Sequence, residues 1–333
     1  MEKYIPRRPM LMSPAYKDYL WGGTRLNDEF AKNIDSDIVA ETWECSTHPD
    51  GPSIINSGEF KGMSLVQFLK IFPECLGTHP RKICPDTLPV LIKFIDAKKD
   101  LSVQVHPDDE YARTHENGQL GKTEMWYVLS ATKQAKLVYG FHHDIKKEEL
   151  YAHLDDGTIE NYLQKVPIKK DDVFLINSGT VHAIGAGALI AEIQESSNLT
   201  YRLYDYNRVG KDGKKRELHV EKAMDVANLK AIENPRQPMR VLRYKKGWAS
   251  ELLARCKYFQ TERIILNTET THEMVDFQTD ETSFQVFLCL GGCGTIIGDD
   301  FSLSIFKGDC IFIPAGSVAF KIHGNAQMLK VSC

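Results

Sequence analysis

The 333-residue sequence lacks the features that mark membrane, nucleic-acid-binding and disulfide-stabilised proteins. No apolar run approaches the ~20 residues that cross a bilayer, and the first residues contain no apolar signal-peptide core. The net charge is -4, so no basic excess favours nucleic acid. Of the eight cysteines only Cys289 and Cys293 are close together, and no second pair completes a zinc site. We therefore expect a cytoplasmic globular protein with reduced cysteines and neither a membrane nor a nucleic-acid partner.

The sequence is instead rich in short runs of Val, Ile, Phe and Tyr that are separated by Gly, Pro, Asn and Asp. This pattern predicts a mainly β protein built from antiparallel barrels or sandwiches. A hairpin turn is expected at CLGGCG, because two glycines there separate two apolar runs. The clearest runs are LPVLIKFIDA, LSVQVH, EMWYVL, KLVYGF, DVFLINSG, LIAEIQES, FQVFLCL, GTIIG, CIFIPAG and MLKVS.

Helical periodicity appears in three segments, at 64–72, at 144–166 with Asp144 as the expected N-cap, and at 216–229. Residues 227–244 contain two prolines and no sustained period, which indicates a connector. The chain is long enough for two domains. We predict a first domain over 1–236, elaborated by helices, and a smaller second domain over 237–333.

Two segments of the chain resemble each other. DDVFLINSGTVHAIG, from Asp171, aligns without a gap with GDCIFIPAGSVAFKI, from Gly308, and the alignment sets His182 opposite Ala319. Chance recurrence of a strand, a turn and a glycine is the alternative. We interpret the similarity as two related barrels, of which the second has lost a histidine.

The run LSVQVH carries Gln104 and His106 two residues apart and then stops at Pro107. Side chains alternate across a strand, so this polar pair points to one side. The pair alone is compatible with two buried polar groups that are satisfied by hydrogen bonds, and also with half of a metal shell.

The two similar segments, from Asp171 and from Gly308, resemble the second signature motif of the cupin superfamily in degenerate form. That motif consists of Gly, five residues, Pro, one residue, Gly, two residues and His. Gln104 and His106, followed by Glu124 eighteen residues after the histidine, resemble the first motif with one histidine replaced by Gln. The resemblance implies two cupin-type barrels, or jelly rolls, and a metal bound by Gln104, His106, Glu124 and His182. One Zn²⁺ per chain suits this shell of nitrogen and oxygen ligands, although Fe²⁺, Mn²⁺ or Co²⁺ could occupy it. On this reading the first domain is catalytic and the second lacks metal ligands.

A closer resemblance extends along nearly the whole chain. LWGGTRL, ETWECSTHPDGPS, LPVLIKFIDAKKDLSVQVHPDDEYA, GKTEMWYVL, HAIGAGALIAEIQESSNLTYRLYDYNR, RELHVEKA and IFIPAG are similar to segments of the short bacterial form of type I mannose-6-phosphate isomerases. The resemblance implies a zinc-dependent, reversible interconversion of mannose 6-phosphate and fructose 6-phosphate through a cis-enediol. This chemistry needs a positioned base and stabilisation of negative charge on O1 or O2.

The same resemblance suggests catalytic residues. Arg202 matches the family's active-site arginine, with a surface ion pair to Asp205 as the alternative. Glu192 matches a proposed proton-transfer base, with an ion pair lining the barrel as the alternative, and Glu195 competes for the role. His48 could shuttle protons among O1, O2 and solvent.

Three further cations are expected at the site, Lys122 as a catalytic residue and Lys93 and Arg208 as substrate-binding residues. Lys122 lies on the same side of an extended run as Glu124 and would point into the same cavity, unless it is an exposed lysine at the end of a loop. Lys93 lies inside an apolar strand and could line the cavity or extend to the surface. Arg208 is one candidate for binding the substrate phosphate, for which the sequence shows no phosphate loop.

Two other functions remain open at the level of sequence. A metal-dependent cupin dioxygenase usually has three histidines, against which Gln104 argues mildly. A non-catalytic sugar-binding protein with two cupin domains would have no need of Lys122, Glu192 and Arg202. The sequence leaves the oligomeric state open.

Overall fold

The computed structural model describes residues 4–210, 213–233, 235–238 and 240–333. The chain is mainly β, and none of the described helices is long and apolar enough to cross a membrane. The strands of the first part of the chain are β1 (Met10–Ser13), β2 (Ala15–Lys17), β3 (Glu41–Cys45), β4 (Ile54–Ile55), β5 (Val90–Ala97), β6 (Val103–Val105), β7 (Glu124–Ala131), β8 (Lys136–Phe141), β9 (Leu163–Pro167), β10 (Val173–Ile176), β11 (His182–Ile184), β12 (Ala188–Glu195) and β13 (Tyr201–Tyr204). The later strands are β14 (Arg243–Lys245), β15 (Trp248–Arg255), β16 (Gln260–Asn267), β17 (Val275–Phe277), β18 (Gln285–Ile297), β19 (Ser302–Phe306), β20 (Cys310–Ile313) and β21 (Phe320–Ser332).

The described helices are short and lie outside the sheets. The α-helices are α1 (Arg25–Phe30), α2 (Leu65–Ile71), α3 (Asp109–His115), α4 (Lys147–Asp155) and α5 (Val220–Val226), and 3-10 turns occupy Pro73–Leu76, Pro80–Lys82 and Ile159–Asn161.

The strands form three antiparallel sheets. A six-stranded sheet has the order β10-β7-β12-β5-β3-β2, and a five-stranded sheet has the order β13-β6-β11-β8-β9. A ten-stranded sheet follows the path β14-β15-β16-β21-β18-β20-β1-β4, with β17 beside β21 and β19 beside β18. No sheet closes on itself within the described residues, so the strands form open sheets that pack in layers and two closed barrels are not seen.

The six-stranded sheet is the central layer, and both of its faces are buried. On β7, Trp126 and Val128 pack towards the five-stranded sheet, whereas Met125 and Tyr127 pack towards the ten-stranded sheet. Every residue of β12 is buried, including Glu192. A strand buried on both faces reads as a nearly continuous apolar run, so the few polar residues within it are conspicuous.

The predicted helices are confirmed in position but not in extent. Residues 64–72 contain α2, which begins with a capping box between Ser64 and Gln67. The helix predicted over 144–166 is wrong beyond Asp155, because Gly157 has a positive φ of 75° and the following residues enter β9. Asp144 does not cap α4; its carboxylate accepts a hydrogen bond from the Ala231 N–H instead.

The hairpin predicted at CLGGCG is also wrong. FQVFLCL and GTIIG belong to one thirteen-residue strand, β18, which pairs with β21 along its length and changes register between Cys289 and Gly291. Gly292 has a φ of 77° there, so the two glycines form a bulge that bends the strand without reversing it.

The internal similarity has a structural counterpart. β10 is followed by a turn with Gly179 at φ 83° and by β11, and β20 is followed by a turn with Gly316 at φ 63° and by β21.

The division at residue 236 stays a prediction. Two early strands, β1 and β4, pair into the ten-stranded sheet, so the N-terminal residues contribute to both parts.

Candidate active site

Four polar side chains converge between the five- and six-stranded sheets. His106 directly follows β6, Glu124 begins β7 and His182 begins β11, and one ligand atom from each lies within 4.8 Å of the others. Gln104 on β6 pairs in register with His182, and its Nε2 lies 3.5 Å from His182 Nε2. The sequence prediction of a common site for these four residues agrees with this geometry.

The donor atoms in this cluster suit a divalent metal. His182 Nδ1 donates a hydrogen bond of 2.8 Å to the Thr180 carbonyl, which leaves the Nε2 lone pair facing Glu124 at 3.8 Å from Oε2. Glu124 Oε2 is buried and accepts no hydrogen bond from the described residues. An unsatisfied carboxylate oxygen beside two imidazoles and an amide, without a thiolate, is a donor set that fits Zn²⁺.

Lys122 is buried in this cluster and is not an exposed lysine at the end of a loop. Its Nζ lies 2.6 Å from Glu124 Oε1 and 3.1 Å from His106 Nε2. Burial, together with this ammonium, lowers the pKa of His106 to about 3, so the imidazole is neutral as a metal ligand must be. Although burial opposes it, the Lys122 ammonium and the hydrogen bond with His106 hold the pKa of Glu124 well below its usual range.

A cavity of about 380 Å³ opens beside the cluster. Gln104 and Lys122 line it at the metal cluster, and Lys93, Glu192 and Arg202 are among the polar residues that line the rest of it. Five of the ten residues selected from the sequence therefore face one cavity, and a sixth, Glu124, contacts Lys122 directly.

Glu192 and Lys93 are paired across β12 and β5, with Lys93 Nζ 3.2 Å from Glu192 Oε2. Trp126 Nε1 donates a hydrogen bond of 2.8 Å to Glu192 Oε1. Burial, reinforced by the Glu124 charge, raises the pKa of Glu192 to about 7. The carboxyl group is thus balanced between its two protonation states near neutral pH.

Glu41 was missed by the sequence reasoning although it lies in the ETWECSTHP segment. Its Oε2 accepts a hydrogen bond of 2.7 Å from Trp43 Nε1 and lies 3.6 Å from Lys93 Nζ. Although burial opposes it, Glu41 and Glu192 together raise the pKa of Lys93 above its usual value. Lys93 is therefore held in the cavity wall, as the first of its two sequence interpretations predicted.

Arg202 faces the cavity from β13, and its proposed partner Asp205 is engaged elsewhere. The Arg202 guanidinium donates hydrogen bonds to Ser102 Oγ at 3.3 Å and to the Glu217 carbonyl at 2.7 Å. Asp205 instead accepts hydrogen bonds from Arg208 and Arg216. Although burial opposes it, these two arginines hold the pKa of Asp205 below its usual range.

Arg208 lines a neighbouring cleft and not the main cavity, whereas Arg216, which sequence reasoning missed, lines both. The RELHVEKA segment contains Arg216, but nothing in its spacing points to a site. The pairing of both arginines with Asp205 emerges only from the tertiary structure.

His48 and Glu195 lie outside the main cavity. His48 lines a separate cavity of about 590 Å³, which shares Asn198 with the main one, and burial lowers the pKa of its imidazole. Glu195 points to the opposite side of β12 from Glu192, where its Oε1 accepts a hydrogen bond from the Thr123 N–H. This separation argues for Glu192 as the residue that can reach a substrate in the main cavity.

Comparisons with known proteins identify the family of the chain. The family model of the catalytic domain of type I phosphomannose isomerase matches residues 10–121, and that of the mannose-6-phosphate isomerase cupin domain matches residues 250–333. Mannose-6-phosphate isomerase ManA of Bacillus subtilis is 37% identical over 96% of this chain and 98% of its own.

Solved structures show the same architecture. The crystal structure of a Bacillus subtilis mannose 6-phosphate isomerase superposes with a TM-score of 0.88 at 33% identity, over 98% of this chain and 99% of that one. A mannose 6-phosphate isomerase bound with zinc and yttrium shares the fold at a TM-score of 0.75 and 14% identity, over 97% and 98% of the two chains. The chain therefore belongs to the type I phosphomannose isomerase family.

Proposed function

We propose that the protein catalyses the reversible isomerisation of mannose 6-phosphate and fructose 6-phosphate. The observation that carries this proposal is the meeting of a metal-type cluster, an acid–base carboxyl group and an arginine around one 380 Å³ cavity. The names of the relatives over nearly the whole chain support it.

Gln104, His106, Glu124 and His182 would hold one Zn²⁺ per chain. Bound zinc would supply a Lewis acid that polarises the oxygens at C1 and C2. The buried, unsatisfied Glu124 oxygen and the neutral His106 support this assignment, as does the presence of zinc in a protein of the same fold.

Glu192 would carry the proton between C2 and C1. With a pKa of about 7, its carboxylate can accept the proton from C2 of mannose 6-phosphate to give the cis-enediol, and its carboxylic acid can return that proton to C1. Trp126 and Lys93 hold both oxygens of the group, which fixes its orientation.

Two cations would stabilise the negative charge that develops on O1 and O2. Arg202 is fixed by Ser102 and the Glu217 carbonyl, and Lys122 by Glu124, so both are oriented before substrate binds. Lys93 would contact sugar hydroxyls from the opposite wall. His48 would exchange protons with the sugar oxygens only if the substrate extended towards Asn198, which makes it the weakest of the catalytic assignments.

Arg208 and Arg216 would bind the phosphate in the neighbouring cleft, which Arg216 shares with the main cavity. Both guanidinium groups are held by one buried carboxylate, Asp205, which leaves them side by side with donors to spare. A dianionic phosphate suits such a pair because guanidinium groups offer donors in a planar fork.

The division into a catalytic unit over 1–236 and a second unit over 237–333 without metal ligands remains part of the proposal. We infer that both units are jelly rolls of the cupin type, in which packed open sheets enclose the core. The similar strand, turn and strand arrangement at Gly179 and Gly316 supports this relationship. The cytoplasmic location expected from the sequence stays a prediction.

Incubation of the zinc-loaded protein with fructose 6-phosphate in D₂O tests the function. We expect mannose 6-phosphate carrying solvent deuterium at C2. Consumption of O₂ would instead indicate a cupin dioxygenase, and tight binding without turnover would indicate a sugar-binding protein. The Arg202→Ala variant should retain zinc but lose turnover, since the side chain lies on the cavity and outside the metal cluster.

A further inference from the structure

A further cavity, of about 280 Å³, lies between the six-stranded and ten-stranded sheets. Ser130 and Leu189 contribute to its walls from the six-stranded sheet, and Leu290 and Gln327 contribute from the ten-stranded sheet. It shares no lining residue with the cavity at the metal cluster. We call this space the interface cavity.

Two lysines line the interface cavity, the exposed Lys170 and the half-buried Lys307, and neither has an anionic partner among the described residues. The half-buried Lys307 turns its ammonium over the ring of Phe30, with Nζ 4.4 Å from the ring centre. Lys170 lines the same space from the turn before β10. No ion pair joins either ammonium to a carboxylate within the described part of the chain. Two such cations on one small cavity provide positive charge and free N–H donors for a phosphate group.

The rest of the interface cavity offers groups that match hydroxyls. Gln327 donates from Nε2 to the Tyr127 hydroxyl at 2.8 Å, which leaves its Oε1 free to accept. The Tyr127 hydroxyl is itself saturated, since it also donates to Asp171 and accepts from Arg263. Glu29 lies at the edge and can accept from a hydroxyl. A ligand with several hydroxyl groups can satisfy more of these acceptors than a simple inorganic anion can.

We propose that the interface cavity binds a small phosphorylated polyol, with the phosphate on Lys170 and Lys307 and the hydroxyls towards Glu29 and Gln327. The ligand would contact both sheets and would stabilise their packing. Because Tyr127 lies three residues after the metal-cluster Glu124 on β7, the ligand would also contact the strand that carries the catalytic cluster.

Sorbitol 6-phosphate, which has no carbonyl group to isomerise, is a suitable probe for titration calorimetry on the zinc-loaded full chain. The wild type is expected to bind two equivalents per chain, and the Lys170→Ala/Lys307→Ala variant one fewer, with kcat and KM for isomerisation unchanged. Inorganic phosphate should compete at the interface cavity at least about tenfold more weakly, which corresponds to about 1.4 kcal/mol of lost hydroxyl contacts.

Lys133→Ala, at an exposed position outside both cavities, is the matched control and should keep the wild-type stoichiometry. Ser130→Glu, which adds a carboxylate to the wall of the interface cavity, is a second and independent way to abolish the site. Equal stoichiometry in the wild type and both cavity variants would overturn the proposal, as would equal affinity for inorganic phosphate. The result is the difference of one equivalent, so it does not depend on whether isomerase activity is found.

Discussion

The replacement of Glu195 by Gln should remove a pH dependence from the stability of the protein. Glu195 is 1% exposed at the end of β12, and its Oε1 accepts a 2.6 Å hydrogen bond from the Thr123 N–H. Its Oε2 accepts no hydrogen bond from the described residues and faces the Asp109 carboxyl group. Asp109 is held as a carboxylate by the Gly121 N–H at 3.1 Å and the Tyr258 hydroxyl at 2.9 Å.

Burial, followed by the Asp109 charge, raises the pKa of Glu195 from 4.5 to about 8. The folded protein therefore keeps a proton that the unfolded chain releases. The stability due to this proton is fully present below pH 4.5 and is lost as pH rises through about 8. One proton changes the free energy of unfolding by about 1.4 kcal/mol per pH unit. The whole loss of stability is therefore at most about 5 kcal/mol. About 2–3 kcal/mol of this loss falls between pH 6 and pH 8.

The glutamine side chain of the Glu195→Gln variant would preserve both contacts, because its amide oxygen can accept from Thr123 and its amide nitrogen can donate to Asp109. Urea unfolding of the zinc-loaded wild type and Glu195→Gln from pH 6 to pH 9, followed by tryptophan fluorescence, measures the difference. We expect the variant to gain stability relative to wild type by about 2–3 kcal/mol from pH 6 to pH 8, and Glu269→Gln, at an exposed carboxyl, to parallel wild type. Parallel curves for wild type and Glu195→Gln would refute the reasoning.

Three further variants test the proposed site. Metal analysis of Glu124→Ala should show loss of bound zinc. Urea unfolding should show a destabilisation of about 3–5 kcal/mol, because Lys122 then stays buried without its carboxylate. A zinc-replete, active variant would contradict the ligand assignment. Glu192→Gln should keep zinc but lose about 10²- to 10⁴-fold in kcat, and near-native turnover would remove Glu192 as the base. Asp205→Asn should raise KM about tenfold with little change in kcat, because Arg208 and Arg216 lose the carboxylate that orients them. An unchanged KM would exclude the two arginines from substrate binding.

Strand positions and the metal cluster could be read from the sequence because local rules govern them. Alternation puts Gln104 and His106 on one side of an extended run, and the apolar runs match β5, β7, β8, β10 and β12. The prediction of a hairpin turn at CLGGCG was wrong for a physical reason. A pair of glycines permits either a reversal or a bulge, and only the pairing of β18 with β21 selects the bulge.

The amino-acid sequence by itself determined the residue types of the site, the strands that carry them and the family to which they belong. The tertiary structure alone decided which charges meet elsewhere in the site: Lys93 with Glu41 and Glu192, and Asp205 with Arg208 and Arg216 in place of Arg202. Lys93 pairs with two carboxylates that are distant from it in the chain. The strength of these pairings depends on burial and on separations of a few ångströms, which no local pattern of residues encodes.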